Sequence, residues 1–162
     1  MSAGYPSDDK SKILESSIPL ERTRFLISSD FNMSIGPFPR ALDFYGDGSV
    51  YIIDTPGHCA GHINILARTS DNGSWIYLGG DTAHDVRLLT GEKEIATVDQ
   101  HGAYRCAHAD KAQAVEDIRR VAALLMIPRV QVIVAHDWRW YDTNKNKEPE
   151  SPFLPGKIAP MS

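Results

Sequence analysis

The sequence has few cysteines and no long hydrophobic run. Its two cysteines, Cys59 and Cys106, are too few for a disulfide framework, and we expect free thiols in a reducing compartment. No stretch approaches the roughly 20 apolar residues that cross a bilayer, and the N-terminus lacks the charged and apolar parts of a signal peptide. These absences predict a cytoplasmic protein with no membrane partner.

Positive charge is also scarce. The 17 Lys and Arg residues against 21 Asp and Glu residues give a formal net charge of -4. Proteins that bind nucleic acid usually concentrate Lys and Arg in a patch or a stripe, and no such run occurs here. The composition therefore predicts no nucleic-acid partner.

Length and composition predict one folded domain with less regular ends. The 162 residues, 42% of them hydrophobic, are enough for one core. Residues 1–40 are rich in Ser, Pro and charge, which predicts an N-terminal connecting segment or, equally, a disordered N-terminus. Residues 41–140 carry the regular patterns and form the predicted domain. Residues 141–162 form a polar, proline-rich C-terminal tail.

Two hairpins are predicted in the first half of this domain. Residues 42–53 and 63–78 each hold two strand-forming runs, separated by Gly46-Asp47-Gly48 in the first case and by Asp71-Asn72-Gly73 in the second. Glycine accepts the positive φ that tight hairpin turns require, so both turns favour antiparallel pairing.

A helix and a final strand are predicted in the second half. Asp110 is typical of a helix N-cap, and apolar residues three or four apart predict a helix to about residue 126. A strongly β-branched strand follows at residues 130–135. In residues 82–108 the apolar residues show no sustained periodicity, which predicts a loop with at most a short helix. Strands together with a helix indicate an α/β fold.

Three residues with metal-binding side chains follow predicted strands. His58 lies in the turn after the second strand, Asp81 follows the strand that ends at residue 78, and His136 follows the last strand. If these strands share one sheet or two packed sheets, the three side chains converge on one site. Imidazole and carboxylate together are typical ligands of zinc or iron, and a metal with an open position makes hydroxide available near neutral pH.

The segments around these residues resemble motifs of the metallo-β-lactamase superfamily. They are TPGHCAGH at residues 55–62, GGDTAH at residues 79–84 and VAHD at residues 134–137. Their order and separation are most similar to the lactonase and glyoxalase II branch, over roughly residues 40–140. The resemblance implies an α/β (α+β) fold, namely the C-terminal part of a four-layer αβ/βα sandwich with its active site along one edge of two facing sheets.

The resemblance also implies roles for individual residues. His58 matches a ligand of the first metal site, Asp81 the carboxylate that bridges two metals, and His136 the last ligand of the second site. His84 occupies a position from which some lactonase-like members present a side chain to the substrate. It and Asp81 are therefore the catalytic candidates, with a proton-donor or oxyanion role for His84 beside the alternative of a plain loop histidine. His62 matches a histidine that hydrogen-bonds the loop without binding metal.

One motif of the superfamily is absent from this sequence. Members carry an HxHxDH motif upstream of the TPGH turn, and no such motif occurs here. We therefore expect a truncated member, in which one metal position keeps only His58 and Asp81 and the other only Asp81 and His136. One Zn²⁺ ion, or Fe or Mn, held by all three residues is one alternative, and no metal is another. An apolar sheet face left uncovered would favour a homodimer.

Three functional hypotheses remain open at this point. The first is a metal-dependent hydrolase of the lactonase or thioesterase type, in which a metal-bound hydroxide attacks a small-molecule acyl substrate, namely a lactone, an ester or a thioester. The second is a truncated member that has lost hydrolysis and serves as a binding or interaction module. The third is a metal-free acid–base enzyme that uses the same cleft. We take the hydrolase as the working hypothesis.

Overall fold

The chain divides into two compact units, which are described separately. The computed structural model describes residues 4–9, 11, 13–100 and 103–146, except for the side chains of residues 100 and 103–105. The first unit is Met1–Asp30 and the second is Phe31–Ser162. Most of the predicted C-terminal tail, from residue 147 onward, lies outside the described residues.

The first unit consists of turns and short 3-10 helices. The helices are Glu15–Ser17, Leu20–Arg22 and Ser28–Asp30. A short bridge joins Tyr5 to Leu14, with the Tyr5 N–H donating to the Ile13 carbonyl at 2.8 Å. The predicted connecting segment extends to residue 40, whereas the first regular strand begins in the second unit at residue 33.

The second unit is built on a six-stranded sheet. The strands among the described residues are, in chain order, β1 (Met33–Ile35), β2 (Phe38–Asp43), β3 (Val50–Asp54), β4 (Ile63–Arg68), β5 (Trp75–Leu78), β6 (Val98–Gln100), β7 (Ala103–Arg105) and β8 (Val130–Ile133). The large sheet has the order β1-β2-β3-β4-β5-β8, and β6 pairs with β7 in a separate hairpin. Every neighbouring pair of the large sheet is antiparallel except β5 and β8, which are parallel.

Both predicted hairpins are confirmed. In the β2–β3 turn, the Asp43 carboxylate accepts hydrogen bonds from the N–H groups of Gly46 and Gly48 at 3.0 and 2.9 Å. Both glycines have a positive φ, 74° and 71°, which explains why glycine is suited to these turn positions. The β4–β5 turn contains Gly73 with a φ of 86°.

In the described part of the chain, three α-helices follow β5. They are α1 (Arg87–Thr90), α2 (Lys111–Leu124) and α3 (Trp138–Asn144). The predicted N-cap of α2 is confirmed, because the Asp110 side chain accepts a hydrogen bond from the Gln113 N–H at 3.0 Å. Residues 82–108 contain the expected short helix, α1, and also the β6–β7 hairpin, where the sequence pattern predicted only a loop.

The core lies between α2 and one face of the sheet. Side chains of α2 pack there against buried residues of the strands and of the segment after β5, and the members of this cluster include Phe38, Ala41, Ile53, Leu66, Tyr77, Ala83, Leu89, Ile118, Val121, Leu124 and Val134. The parallel pairing of β5 and β8 requires a crossover connection, which contains α2. The α/β fold class is confirmed, as a sheet with a helical layer on one face.

Part of the opposite sheet face remains exposed. Ile65 pairs with Leu78 across β4 and β5, and Ile63 lies two residues from Ile65 on the same face. These three side chains are 36%, 37% and 38% exposed, respectively.

The described part of the chain contains no helix with both the length and the apolar character that a membrane crossing requires.

The core predicts unequal effects of two matched substitutions in α2. Val121 is fully buried and Val115 is 47% exposed. We expect Val121→Ala to lower the free energy of unfolding by about 2 kcal/mol, because it removes buried methyl groups and leaves a cavity. Val115→Ala should change it by less than about 0.5 kcal/mol. Urea unfolding followed by circular dichroism measures both, and equal losses would contradict this packing.

Candidate metal centre

Three strands that run in the same direction position the predicted site residues. β3 and β5 are each antiparallel to β4, and β5 is parallel to β8, so β3, β5 and β8 end at the same edge of the sheet. His58 follows β3, Asp81 lies in the short 3-10 turn after β5, and His136 follows β8. The structure therefore brings these three residues to one edge.

Asp81 lies at the centre of this group. Its Oδ1 atom is 2.9 Å from His136 Nε2 and 4.0 Å from His84 Nε2. Its Oδ2 atom is 3.8 Å from His58 Nε2. One carboxylate therefore has a histidine near each of its oxygens, which is the arrangement that a bridging ligand needs.

The turn that carries His58 is held by the start of α2. The Gly57 N–H donates to the buried Asp117 Oδ2 at 3.0 Å, and the Gly57 carbonyl accepts from the Asp110 N–H at 3.1 Å. A Cβ at residue 57 would lie 2.4 Å from the backbone nitrogen of Ala114. Glycine is therefore required where the turn contacts the helix.

His62 holds the backbone of Asp81. Its Nε2 accepts a hydrogen bond from the Asp81 N–H at 3.1 Å, so the ring proton is on Nδ1, which lies 3.1 Å from the Thr55 carbonyl oxygen and can donate to it. Both ring nitrogens of His62 are engaged in this way. The arrangement agrees with the structural role that the resemblance implied.

Backbone hydrogen bonds join the turns after β5 and β8. The Gly79 N–H donates to the Ile133 carbonyl at 2.7 Å, and the Ala135 N–H donates to the Gly80 carbonyl at 2.9 Å. These bonds extend the parallel pairing past the ends of both strands. They fix Asp81 and His136 relative to each other through backbone rather than through mobile side chains.

A buried polar network holds the turn that carries Asp81. The Asn64 amide oxygen accepts from the hydroxyls of Tyr77 and Thr82 at 2.7 and 2.8 Å, and its nitrogen donates to the Gly79 carbonyl at 2.9 Å, in the amide orientation that satisfies all partners. Asn64 and Tyr77 are fully buried. Burial raises the pKa of Tyr77, so its hydroxyl keeps its proton and donates it.

His108 joins the site, although its sequence context predicted only a loop. It is only 6% exposed, and its ring centroid is 4.9 Å from that of His84 and 5.5 Å from that of His58. It lies two residues before Asp110, the N-cap of α2. α2 belongs to the crossover between the parallel strands β5 and β8, so it begins at the edge where β5 ends. The position of His108 just before this helix could therefore have placed it at the site from the sequence.

Among the described residues, two groups have ligand atoms that all lie within 4.8 Å of one another. One is His58, His84 and His108, and the other is Asp81, His84 and His136. His84 belongs to both. The three predicted metal ligands are thus distributed over two neighbouring groups, each of which gains His84.

Burial keeps two of these histidines neutral. Burial, together with His84 and His58, lowers the pKa of His108 to about 4. Burial and His58 also lower the pKa of His84, against an opposing effect of Asp81. Neutral imidazole is the form that binds a metal, so neither side chain has to lose a proton at pH 7.

An open cavity of about 300 Å³ adjoins the group on the His136 side. The residues that line it come from the segment after Asp81 and from the start of α3, and they are His84, Asp85, Val86, Arg87, His136, Asp137, Trp138 and Arg139. Arg87 is paired with Asp85 at 2.6 Å. The cavity thus has two histidines on its wall together with apolar and charged side chains.

No family model matches the chain, but curated relatives do. The metallo-hydrolase mfmC of Annulohypoxylon moriforme is 39% identical over 87 residues, 53% of this chain and 22% of that protein. The γ-lactamase FDB1 of Fusarium pseudograminearum is 44% identical over 86 residues, 50% of this chain and 20% of that protein. The γ-lactamase MBL2 of Gibberella moniliformis is 52% identical over 66 residues, 38% of this chain and 27% of that protein.

The names of these relatives agree with the family that the three motifs resemble. The chain belongs to the metallo-β-lactamase superfamily. The matched part of the chain corresponds to between a fifth and about a quarter of the length of these three curated relatives. Among solved structures, an N-acyl homoserine lactone hydrolase with its product bound at the catalytic metal centre is 18% identical to it, with a TM-score of 0.48. That alignment covers 64% of this chain and 36% of the other.

The donor atoms of this superfamily member fit a divalent metal. The Nδ1 atoms of His58 and His108 are buried and have no hydrogen-bond partner among the described residues. A buried polar atom without a partner costs about 1–3 kcal/mol, and a bound metal would remove that cost. Imidazole nitrogens with a carboxylate suit metals of borderline softness, such as zinc or iron.

The contact between α2 and the His58 turn makes Asp117 important for stability. We expect Asp117→Ala to lower the free energy of unfolding by about 1–3 kcal/mol, because the buried Gly57 N–H loses its acceptor. The neighbouring Glu116→Ala should cost less than about 1 kcal/mol, since Glu116 is exposed and forms only a surface ion pair with Arg119.

Thermal unfolding measures both variants, and the backbone amide signal of Gly57 reports the local effect. That signal should shift in Asp117→Ala and stay in place in Glu116→Ala. A Gly57 signal that is unchanged in both variants would show that α2 does not hold the turn.

Proposed function

We propose that this chain carries part of the active site of a metal-dependent hydrolase that opens or cleaves small acyl compounds. The observation that supports it best is the convergence of Asp81 with His58, His84 and His136 beside a cavity. The candidate substrates are lactones, esters and thioesters. Lactams join them, since two of the curated relatives are named γ-lactamases.

Asp81 and His136 would hold the metal, with His58 near the other carboxylate oxygen. When bound, the metal would act as a Lewis acid and lower the pKa of a water molecule to near neutrality. Asp81 would orient the neighbouring imidazoles through its two oxygens. The backbone bonds between the turns after β5 and β8 would keep these donors in place, as catalysis by positioning requires.

His84 is the residue best suited to act on the substrate. Its imidazole is kept mostly neutral at pH 7 by burial and by His58, which lower its pKa, and it lies on the cavity wall. A neutral imidazole can donate one N–H to a carbonyl oxygen and accept a proton with its other nitrogen. We assign it hydrogen bonding to the carbonyl oxygen of the substrate or, once the ring has accepted a proton from the attacking water, donation of that proton to the leaving group.

The cavity limits the size of the acyl compound. A volume of about 300 Å³ is at the lower end of small-molecule sites. Val86 and Trp138 provide apolar surface next to His84 and His136, while Arg139 provides positive charge. A small ring or short acyl chain with a polar group fits this combination.

Replacing the central carboxylate tests the proposal. We expect Asp81→Asn to lower the affinity for the metal held by Asp81 and His136 at least about 100-fold and to abolish hydrolysis of lactones, thioesters and lactams, because a neutral amide is a poorer ligand and leaves the histidines unpaired. Asp71→Asn, in the exposed β4–β5 turn, is the matched control and should change neither. Elemental analysis and a spectrophotometric ester and lactone panel provide the measurements.

The alternatives give different results in the same experiment. Hydrolysis without bound metal that depends on Asp81 or His84 would favour the metal-free acid–base enzyme. Neither metal nor hydrolysis in the wild-type chain would favour a binding module. Either result would overturn the metal-dependent hydrolase.

We also propose that the exposed sheet face pairs with a second copy of the chain. Ile63, Ile65 and Leu78 present adjacent apolar side chains there, and exposed apolar patches of this kind favour association. Sedimentation should give twice the 18.0 kDa chain mass. Ile65→Glu should restore the single-chain mass, whereas Val115→Glu, on the exposed side of α2, should not. A wild-type monomer would contradict the pairing.

A further inference from the structure

Three histidines form a group that the proposed hydrolase does not use as a unit. His58, His84 and His108 offer ligand atoms that all lie within 4.8 Å of one another. Their ring centroids are 5.1 Å apart for His58 and His84, 4.9 Å for His84 and His108, and 5.5 Å for His58 and His108. The group is completed by His108, which lies away from the cavity and is almost fully buried.

Two of the three rings have a buried nitrogen without a partner. Nδ1 of His58 and Nδ1 of His108 have no hydrogen-bond partner among the described residues. Buried polar atoms in folded proteins are nearly always satisfied by protein groups, water or ions. His62, four residues after His58, shows the usual pattern, because both of its ring nitrogens are hydrogen-bonded. The two unpartnered nitrogens therefore indicate a missing ligand rather than a general property of this edge.

The backbone holds His58 and His108 in fixed positions. The Ala109 N–H donates to the His58 carbonyl at 2.8 Å, which links the turn after β3 to the residue that follows His108. The Cys106 thiol donates to the His108 carbonyl at 3.2 Å. These bonds are made by backbone groups and a thiol, so they leave the ring nitrogens free. A preformed set of donors binds a cation without first ordering the chain.

We propose that His58, His84 and His108 form a second cation site, which binds a divalent transition metal such as Zn²⁺ through imidazoles alone. It differs from the group at Asp81 and His136 in containing no carboxylate and in being more buried. Imidazole nitrogens favour zinc, copper and nickel, whereas magnesium and calcium prefer oxygen ligands. The site therefore discriminates between these two classes of cation.

The spacing of the donor atoms requires only a small adjustment on binding. A tetrahedral ion with metal–nitrogen bonds of about 2.0–2.1 Å needs its donors closer together than 4.8 Å. Small rotations of the rings would close the group.

His84 belongs to both groups, so the test removes the Asp81 group first. The Asp81→Asn chain should still bind about one equivalent of Zn²⁺, measured by calorimetry on the metal-free 162-residue protein. Adding His108→Ala to that background should weaken binding at least about 100-fold. Cys59→Ser in the same background is the control, because it removes the exposed thiol beside His58. It should leave the affinity unchanged.

A second measurement on the wild-type chain does not depend on any variant folding. Zn²⁺ should shift the imidazole ¹⁵N signals of His58, His84 and His108, and Mg²⁺ should shift none of them. If Zn²⁺ shifts His136 but leaves His108 unmoved, the second site does not exist, although the metal at Asp81 would stand. If Asp81→Asn changes neither metal binding nor hydrolysis while His108 shifts, the hydrolase proposal fails and the second site stands.

Discussion

The common direction of β3, β5 and β8 is the constraint on which the rest of the structure depends. Because these strands end at one edge, the turns after them bring His58, Asp81 and His136 together, although His58 and His136 are 78 positions apart in the sequence. The parallel pairing of β5 with β8 requires a crossover, and α2 belongs to it. The same helix covers the core face of the sheet and binds the His58 turn through Asp117. α2 therefore takes part in the crossover, in the hydrophobic core and in the support of the site.

Polar burial separates the supporting structure from the reactive groups. Near the Asp81 turn, Asn64 accepts hydrogen bonds from the hydroxyls of Tyr77 and Thr82 and donates one to the Gly79 carbonyl. This network therefore fixes the backbone of the turn and does not contact substrate. In contrast, His58 and His108 keep buried ring nitrogens that no described group satisfies. Because buried polar atoms are nearly always satisfied, these two nitrogens are the ones available to a ligand.

Local features of the fold were predictable because their chemistry is local. The Gly46 and Gly48 turn and the Asp110 N-cap need only a few neighbouring residues to form their hydrogen bonds. The β6–β7 hairpin was missed because its strands are three residues long and show no clear alternation. β1 was missed for a similar reason, since it is also three residues long and precedes Gly36 and Pro37.

The sequence by itself determined which residues can carry chemistry: the TPGH turn, the aspartate after Gly79-Gly80 and the last histidine were recognisable from their neighbours and from strands that lead into them. Only the tertiary structure decided how these residues are grouped. His108 meets His58 and His84 because the crossover helix begins at this sheet edge, and Asp81 faces three histidines because two parallel strands end side by side. Such contacts depend on strand register and helix placement, which are set by burial of the whole core rather than by neighbouring residues.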